Sequence, residues 1–285
     1  MTHEIAAASR PGTGTPVPLR RSVSGTEQTR RWARSGKVAL ARLLVLIALC
    51  ALWQGVLGPV VGVTWFPSLI SIFSKLGSWT SDGTLRVHLW ITVFELGASL
   101  IIGGVAGLVL GLLIGFYRGV RDSLYPIAVI AYLAPLSVLT PLIISALGFG
   151  TEPKIVLGAT TAFFIVFFHT ISGAREAQRR MLEGLYLMGA SDFEVLVKVL
   201  APASRKWAIA GLNVAGPLTL IAIVTVEIFG SSQGLGFLIE DAAGSSDMVS
   251  IYAAVLILAA LGVITKQSID FIDKHTNGLG GSNGG

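Results

Sequence analysis

Hydrophobic and polar positions alternate on a coarse scale along this chain, with long uncharged runs separated by short polar breaks. Uncharged runs occupy residues 43–58, 96–117, 123–151, 155–172, 207–226 and 248–265. Runs of this length are what a helix needs to cross a bilayer. The run 96–117 holds twenty-two residues, about 33 Å at ~1.5 Å per residue, close to the hydrocarbon thickness. Within it Gly103, Gly107, Gly111 and Gly115 recur every fourth residue. That spacing puts a glycine ridge on one helix face, where a second backbone can approach closely; a moving, pore-lining helix is the other reading. The run 123–151 exceeds one straight span and is divided by Pro126, Pro135 and Pro141. Between the first two runs, Pro67-Ser68 starts a short interfacial helix near 68–77.

Two stretches depart from the apolar pattern. Residues 1–37 are rich in Pro, Gly, Ser, Thr and Arg, the composition of a disordered arm. A signal peptide is the rival reading, but no small-residue cleavage site follows the basic residues. The second stretch, about 174–204, interrupts the membrane pattern with charge and predicts two short helices around a hinge. Residues 176–188 carry helix formers, and Gly189 stands where a helix C-terminus favours the left-handed conformation. Ser191, with Glu194 three residues on, makes a capping box for a second helix. Pro202 is expected to end that helix.

Composition supports the membrane reading. Hydrophobic residues make up 53% of the 285, charged residues 13%, and the mean hydropathy is +0.74. Cys50, the single cysteine, sits in an apolar run, so no disulfide framework or cysteine metal cluster is available. The net charge of +5 is explained by topology. With six spans both termini share a side, and that side carries eighteen of the twenty-one Lys and Arg. Only Lys75, Arg86 and Lys154 fall opposite. The positive-inside rule then makes both termini and the 174–204 loop cytoplasmic, and a nucleic-acid partner is not needed. The expected organisation is an arm at 1–37, a transmembrane domain at 38–274 in contact with lipid and a flexible tail at 275–285.

The chemistry points away from an enzyme. The four histidines, His3, His88, His169 and His275, are scattered, and no zinc, nucleophile-elbow or phosphate-loop motif occurs. A metal or cofactor site is not expected. An ion-driven carrier keeps ionisable groups at mid-membrane, whereas Glu95 and Glu227 flank the outer ends of their runs. The energy source is therefore expected outside this chain, with an ion-coupled secondary transporter or channel as the alternative. Candidates for the translocation path are Pro135, Ser137, Thr140 and Pro141, where proline frees carbonyls, together with Asn213 and Glu227. Plain helix kinking accounts for the prolines equally well.

At the loop the residues resemble a known family. A Glu, two alanines, three residues, Gly, nine residues and Ile-x-Leu-Pro form the EAA motif of permease subunits of bacterial ABC importers. Glu183 takes the Glu position, Gly189 the Gly, and Val199, Ala201 and Pro202 the end. Gly184 and Leu185 replace the two alanines, and Ala201 replaces Leu. Similarity extends over about 65–270. It includes the segment from Glu227 to Ile239, the Pro135 to Pro141 segment followed by Gly148-Phe-Gly150, and Phe66-Pro67-Ser68. The resemblance is greatest to the nitrate, sulfonate and taurine group. It implies an all-α fold of about six transmembrane helices, of the type I importer permease class, with a cytoplasmic coupling helix. Glu183, Gly184, Leu185, Gly189, Ala190, Ser191, Asp192, Phe193 and Pro202 would then form the coupling loop. The implied partners are a second permease copy, two ABC ATPase subunits holding ATP and Mg, and an extracytoplasmic substrate-binding protein.

Overall fold

A computed structural model of the protein describes residues 41, 43–45, 47–57, 62, 65–134 and 136–278, without the side chains of 56–57, 137, 178–183 and 275–278. The expected arm 1–37, residues 58–61, Pro135 and residues 279–285 lie outside the described residues. The chain divides into two units, Met1–Pro59 and Val60–Gly285. The first contains an apolar helical stretch, Leu43–Gly55, ending in a π-helical turn, Trp53–Leu57.

The second unit is helical, with no strand among the described residues. Helix α1 (Leu69–Ser81) starts where Pro67-Ser68 predicted, with the Ser68 hydroxyl accepting the Ser71 amide at 3.1 Å. Helix α2 (Thr84–Phe116) holds 33 residues, about 50 Å of rod. Helix α3 (Arg118–Leu133) contains Pro126 without ending there. The long uncharged run breaks at Ala134, continues as a 3-10 turn Leu136–Leu139, and resumes as α4 (Thr140–Leu147) with Pro141 in its first turn. A proline in the first helical turn loses no hydrogen bond, because that amide has no intrahelical partner.

Two longer rods follow. Helix α5 (Glu152–Leu187) has 36 residues. The expected separate helix at 176–188 is instead its last three turns, because residues 174–187 offer only Gly184 as a weak point and no proline. Helix α6 (Asp192–Gly230) has 39 residues. Pro202 does not end it. A π-helical turn, Val195–Leu200, precedes the proline, and the Ala201 amide donates to the Leu196 carbonyl five residues back. The widened turn absorbs the proline ring and its missing donor, as π-bulges do. A short helix α7 (Leu235–Gly244), which the pattern of small and acidic residues did not predict, leads to α8 (Met248–Gly278).

Four of these helices (α2, α5, α6 and α8) are long and apolar enough to cross a membrane. The glycine ridge explains how the first two pack. A Cβ on Gly103 would collide with the Ala159 carbonyl, and one on Gly107 would lie 2.6 Å from the Phe163 carbonyl. On Gly111 and Gly115 it would meet Thr170 Cβ at 2.8 Å and Ala174 Cβ at 2.9 Å. The ridge thus lies backbone to backbone along α5, in parallel. Helix α6 returns antiparallel on α5, with Gly211 against His169 Cβ at 3.0 Å and Gly173 under Trp207. Ala162, Ile165, Val166, Ala208 and Ala215 form the buried centre of this three-helix block. Large apolar side chains such as Ile101, Ile102, Val105, Ile221, Val263 and Ile264 point outward, as lipid-facing positions do.

Candidate functional site: a hairpin tip and a buried charge cluster

Helices α5 and α6 form a hairpin whose turn is Met188 to Ser191. Gly189 has φ +85°, the left-handed conformation that glycine adopts without strain. The Gly189 amide donates to the Tyr186 carbonyl at 3.0 Å and the Ala190 amide to the Leu185 carbonyl at 3.1 Å. These two bonds make a Schellman C-cap. Its usual apolar contact is present: Leu185 and Ala190 are half-buried against Phe116, Ala174, Ala177, Val195 and Leu200. Ser191 then opens α6 with both halves of the capping box, its amide donating to Glu194 Oε2 at 3.2 Å and its Oγ accepting from the Glu194 amide at 3.4 Å. The Tyr186 hydroxyl donates to Asp192 Oδ1 at 2.9 Å. Partial desolvation, and then this bond to a carboxylate, raise the Tyr186 phenol above its ordinary value.

The outer surface of the tip is apolar. Leu187 is 89% exposed, Met188 85% and Phe193 73%. Gly184 is exposed on α5 with nothing within 4 Å of a Cβ built there. Glu183 lies in the penultimate turn of α5, its side chain outside the described set. Pro202 follows the π turn, one helical turn beyond Lys198, which pairs with Glu194 at 2.8 Å. The structure therefore brings Leu185, Gly189, Ala190, Ser191, Asp192 and Phe193 into one compact knob.

The path candidates do not gather in the same way. Thr140 is fully buried with no hydrogen-bond partner for its hydroxyl. Pro141 is exposed beside it, and Ser137 is in the preceding 3-10 turn. Asn213, half-buried at the middle of α6, also leaves its side-chain oxygen unpartnered.

Glu227 belongs to a different constellation, at the end of the hairpin opposite the tip. Its carboxylate is fully buried. It accepts from the Thr92 hydroxyl at 2.7 Å and from the Gly236 amide at 2.7 Å. Thr92 Oγ1 accepts in turn from the Leu235 amide at 2.9 Å, and His88 Nδ1 from the Gly234 amide at 3.0 Å. Beside them Lys154, 3% exposed, pairs with the buried Glu95 at 2.5 Å and reaches the Gln233 carbonyl at 3.4 Å. The segment 231–236 is thus tied to α2, α5 and α6 together. Gly234, at φ +119°, has no room for a Cβ, which would strike the Glu227 carboxylate. In the sequence Glu95 and Lys154 stand as charges near run ends, and Glu227 as such a charge and a path candidate. Their long-range contacts span 59 residues of chain for Lys154–Glu95 and 135 for Thr92–Glu227, which no local pattern reports. The cluster buries charge in an environment where removing one partner of an ion pair costs about 3–5 kcal/mol.

A bundle of membrane-length helices, closed by glycine contacts and ending in an exposed apolar knob, defines a multi-pass membrane protein. No group of His, Cys, Asp and Glu suited to hold a metal occurs among the described residues. Residues 103–278, more than half of the chain, match the family described as binding-protein-dependent transport system inner membrane component, and the chain belongs to that family. It is 29% identical over 234 residues to a Bacillus subtilis protein named for aliphatic sulfonate transport, covering 81% of this chain and 84% of that relative. It is 25% identical over 237 residues to the formylaminopyrimidine transport permease protein of Halalkalibacterium halodurans, covering 83% and 94%. Among solved structures, the methionine ABC transporter MetNI in inward-facing conformations shares the fold. The TM-score is 0.53 at 18% identity, over 67% of this chain and 95% of the solved one.

Proposed function

We propose that this ABC transporter permease serves an ATP-driven importer, with the α5–α6 tip as the point where energy enters. The observation that carries the reading is the tip itself. A rigid, doubly capped turn holds Leu187, Met188 and Phe193 out from two rods of 36 and 39 residues. Apolar side chains exposed on a charged loop are the mark of a protein-binding surface. With both termini and the tip cytoplasmic, that surface faces soluble ATPase subunits, which would hold ATP and Mg. Motion of the tip is then carried along α5 and α6. The chain itself hydrolyses nothing; its part is to pack differently in two states whose populations the partners shift.

A second permease copy completes the path, and an extracytoplasmic binding protein delivers the solute. The solute is a small organic or inorganic molecule of the sulfonate, taurine or nitrate kind. Thr140 and Asn213 suit a path for such polar solutes, because each keeps a buried oxygen without a protein partner. Glu183→Lys and Gly189→Asp test the tip: each is expected to abolish uptake while the protein still inserts. Normal uptake in both variants would sink the assignment. Thermal-shift screening of the partner binding protein against sulfonates and heterocycles identifies the solute. Uptake that persists without any ATPase subunit would favour an ion-coupled carrier instead.

A further inference from the structure

The hairpin that carries the tip is pinned at its other end by the buried charges. Lys154 is the third residue of α5, and Glu227 lies in the last turn of α6. Both rods run without a break from the tip to the cluster, a distance of about 50 Å at ~1.5 Å per residue. The cluster is where α2, α5 and α6 are joined to one surface segment, through Thr92 and His88, Lys154, and Glu227 respectively. Within that segment Ser232 and Gln233 are exposed, while Gly234, Leu235 and Gly236 are buried.

We infer that Lys154, Glu95 and Glu227 are positioning residues for transport: they make the exposed segment 231–233 move with the two rods, so that events at the tip and events at the opposite surface are one motion. The inference rests on the tip being the ATPase-docking point. Its physical basis is the number of independent ties. A surface segment held by one hydrogen bond follows a moving helix loosely. One held by bonds to three helices, those from Lys154 and Glu227 charge-assisted, cannot shift unless they do. Lys154 is central because it joins α5 both to α2 through Glu95 and to the segment through the Gln233 carbonyl. Helix α7 begins directly after the segment, at Leu235, and would move with it. A protein docked on this surface, such as a solute-loaded binding protein, would be mechanically connected to the ATPase subunits through these residues.

The test uses the full permease–ATPase complex in proteoliposomes, with Cys50→Ser removing the native thiol and Ser232→Cys reporting from the segment. A membrane-impermeant maleimide is the probe. Its labelling rate is compared between nucleotide-free samples and samples trapped with ATP, Mg and vanadate. With the native cluster, trapping is expected to change the rate by about five-fold or more, the lower end of ordinary coupling between sites. The charge-balanced double variant Lys154→Met/Glu95→Met, which leaves no unpaired charge at that pair, is expected to lose this change while the complex still hydrolyses ATP. Lys154→Arg, which keeps the cation, is expected to retain it. Labelling that responds to trapping equally in the double variant overturns the inference and leaves the coupling role of the tip standing. No response even with the native cluster also overturns it. Whether the coupling role falls as well is read from the same preparation, by whether ATPase subunits co-purify with the chain.

Discussion

The two ends of the α5–α6 hairpin solve opposite problems. The tip exposes apolar side chains, and the hydrogen bonds that shape it span no more than six residues: the Schellman bonds, the capping box and the Tyr186–Asp192 bond. The far end buries charged side chains and, besides the nine-residue Glu227–Gly236 bond, is held by contacts between residues 59 to 146 positions apart, from Lys154–Glu95 to Gly234–His88. A locally determined knob can detach from a partner and rejoin it without unfolding anything. A cluster assembled from three helices cannot open without moving all of them. On the proposed reading, one end docks and the other holds.

The largest effect is expected at the holding end. Lys154→Met leaves Glu95 and Glu227 buried without their cation, and should cost about 3–5 kcal/mol, seen as a large drop in thermal stability of the detergent-purified protein. Adding Glu95→Met should recover most of it. Loss of no stability in the single variant would mean that the cluster is not the pin described. Between the two ends, Gly107→Val should cost about 1–3 kcal/mol or more, because a Cβ meets the Phe163 carbonyl at 2.6 Å. Gly97→Ala, with nothing within 4 Å, is its control. If both behave alike, the helices do not rely on the ridge.

Smaller changes sharpen the comparison. At the tip, Gly184→Ala should raise stability by about 0.5–1 kcal/mol and leave uptake intact, since no atom lies within 4 Å of the new methyl. A fall in stability would show that this helix turn is packed against something. At the edge of the holding end, Asp247 caps α8 through Ser250 and pairs with Lys75 at 3.4 Å. The Ser250 bond, followed by weaker contributions that include Lys75, lowers its carboxyl below the ordinary value of 3.8. A carboxylate with a lowered native pKa stabilises the fold at higher pH and loses that contribution as pH falls through the native value. Asp247→Asn should therefore lower stability slightly near neutrality, where the native carboxylate contributes, and the difference should vanish as pH falls below about 4.

The same contrast explains what could be read from the sequence. The Ser68 cap, the Gly189 turn, the Ser191–Glu194 box and the four-residue glycine period are local, and each stands in the structure where the residues put it. The continuity of α5 beyond residue 172 is hidden in the sequence because a change from apolar to charged residues reads as a boundary. A helix leaving an apolar layer makes the same change without ending. Pro202 misled for a related reason: proline disrupts a regular α-helical turn, but the π turn at Val195–Leu200 carries the chain past it. The partners of Glu95 and Glu227 were invisible because nothing in the local sequence connects α2 with the start of α5 or with the end of α6. Helix α7 was missed because ten small, mixed residues show no clear helical period.

The central claim is that the tip receives the energy of transport, and capture of the ATPase subunits tests it most directly. The permease would be purified from cells that also express its partner ATPase, with the native tip and with Gly189→Asp, and the ATPase bound per permease measured in each. The expected result is near-stoichiometric ATPase with the native tip and a loss of most of it in the variant, at unchanged permease yield and with a melting temperature lowered only by the strain of a side chain at φ +85°. Equal capture by both, with uptake intact, would contradict the claim and place the docking surface elsewhere on the molecule.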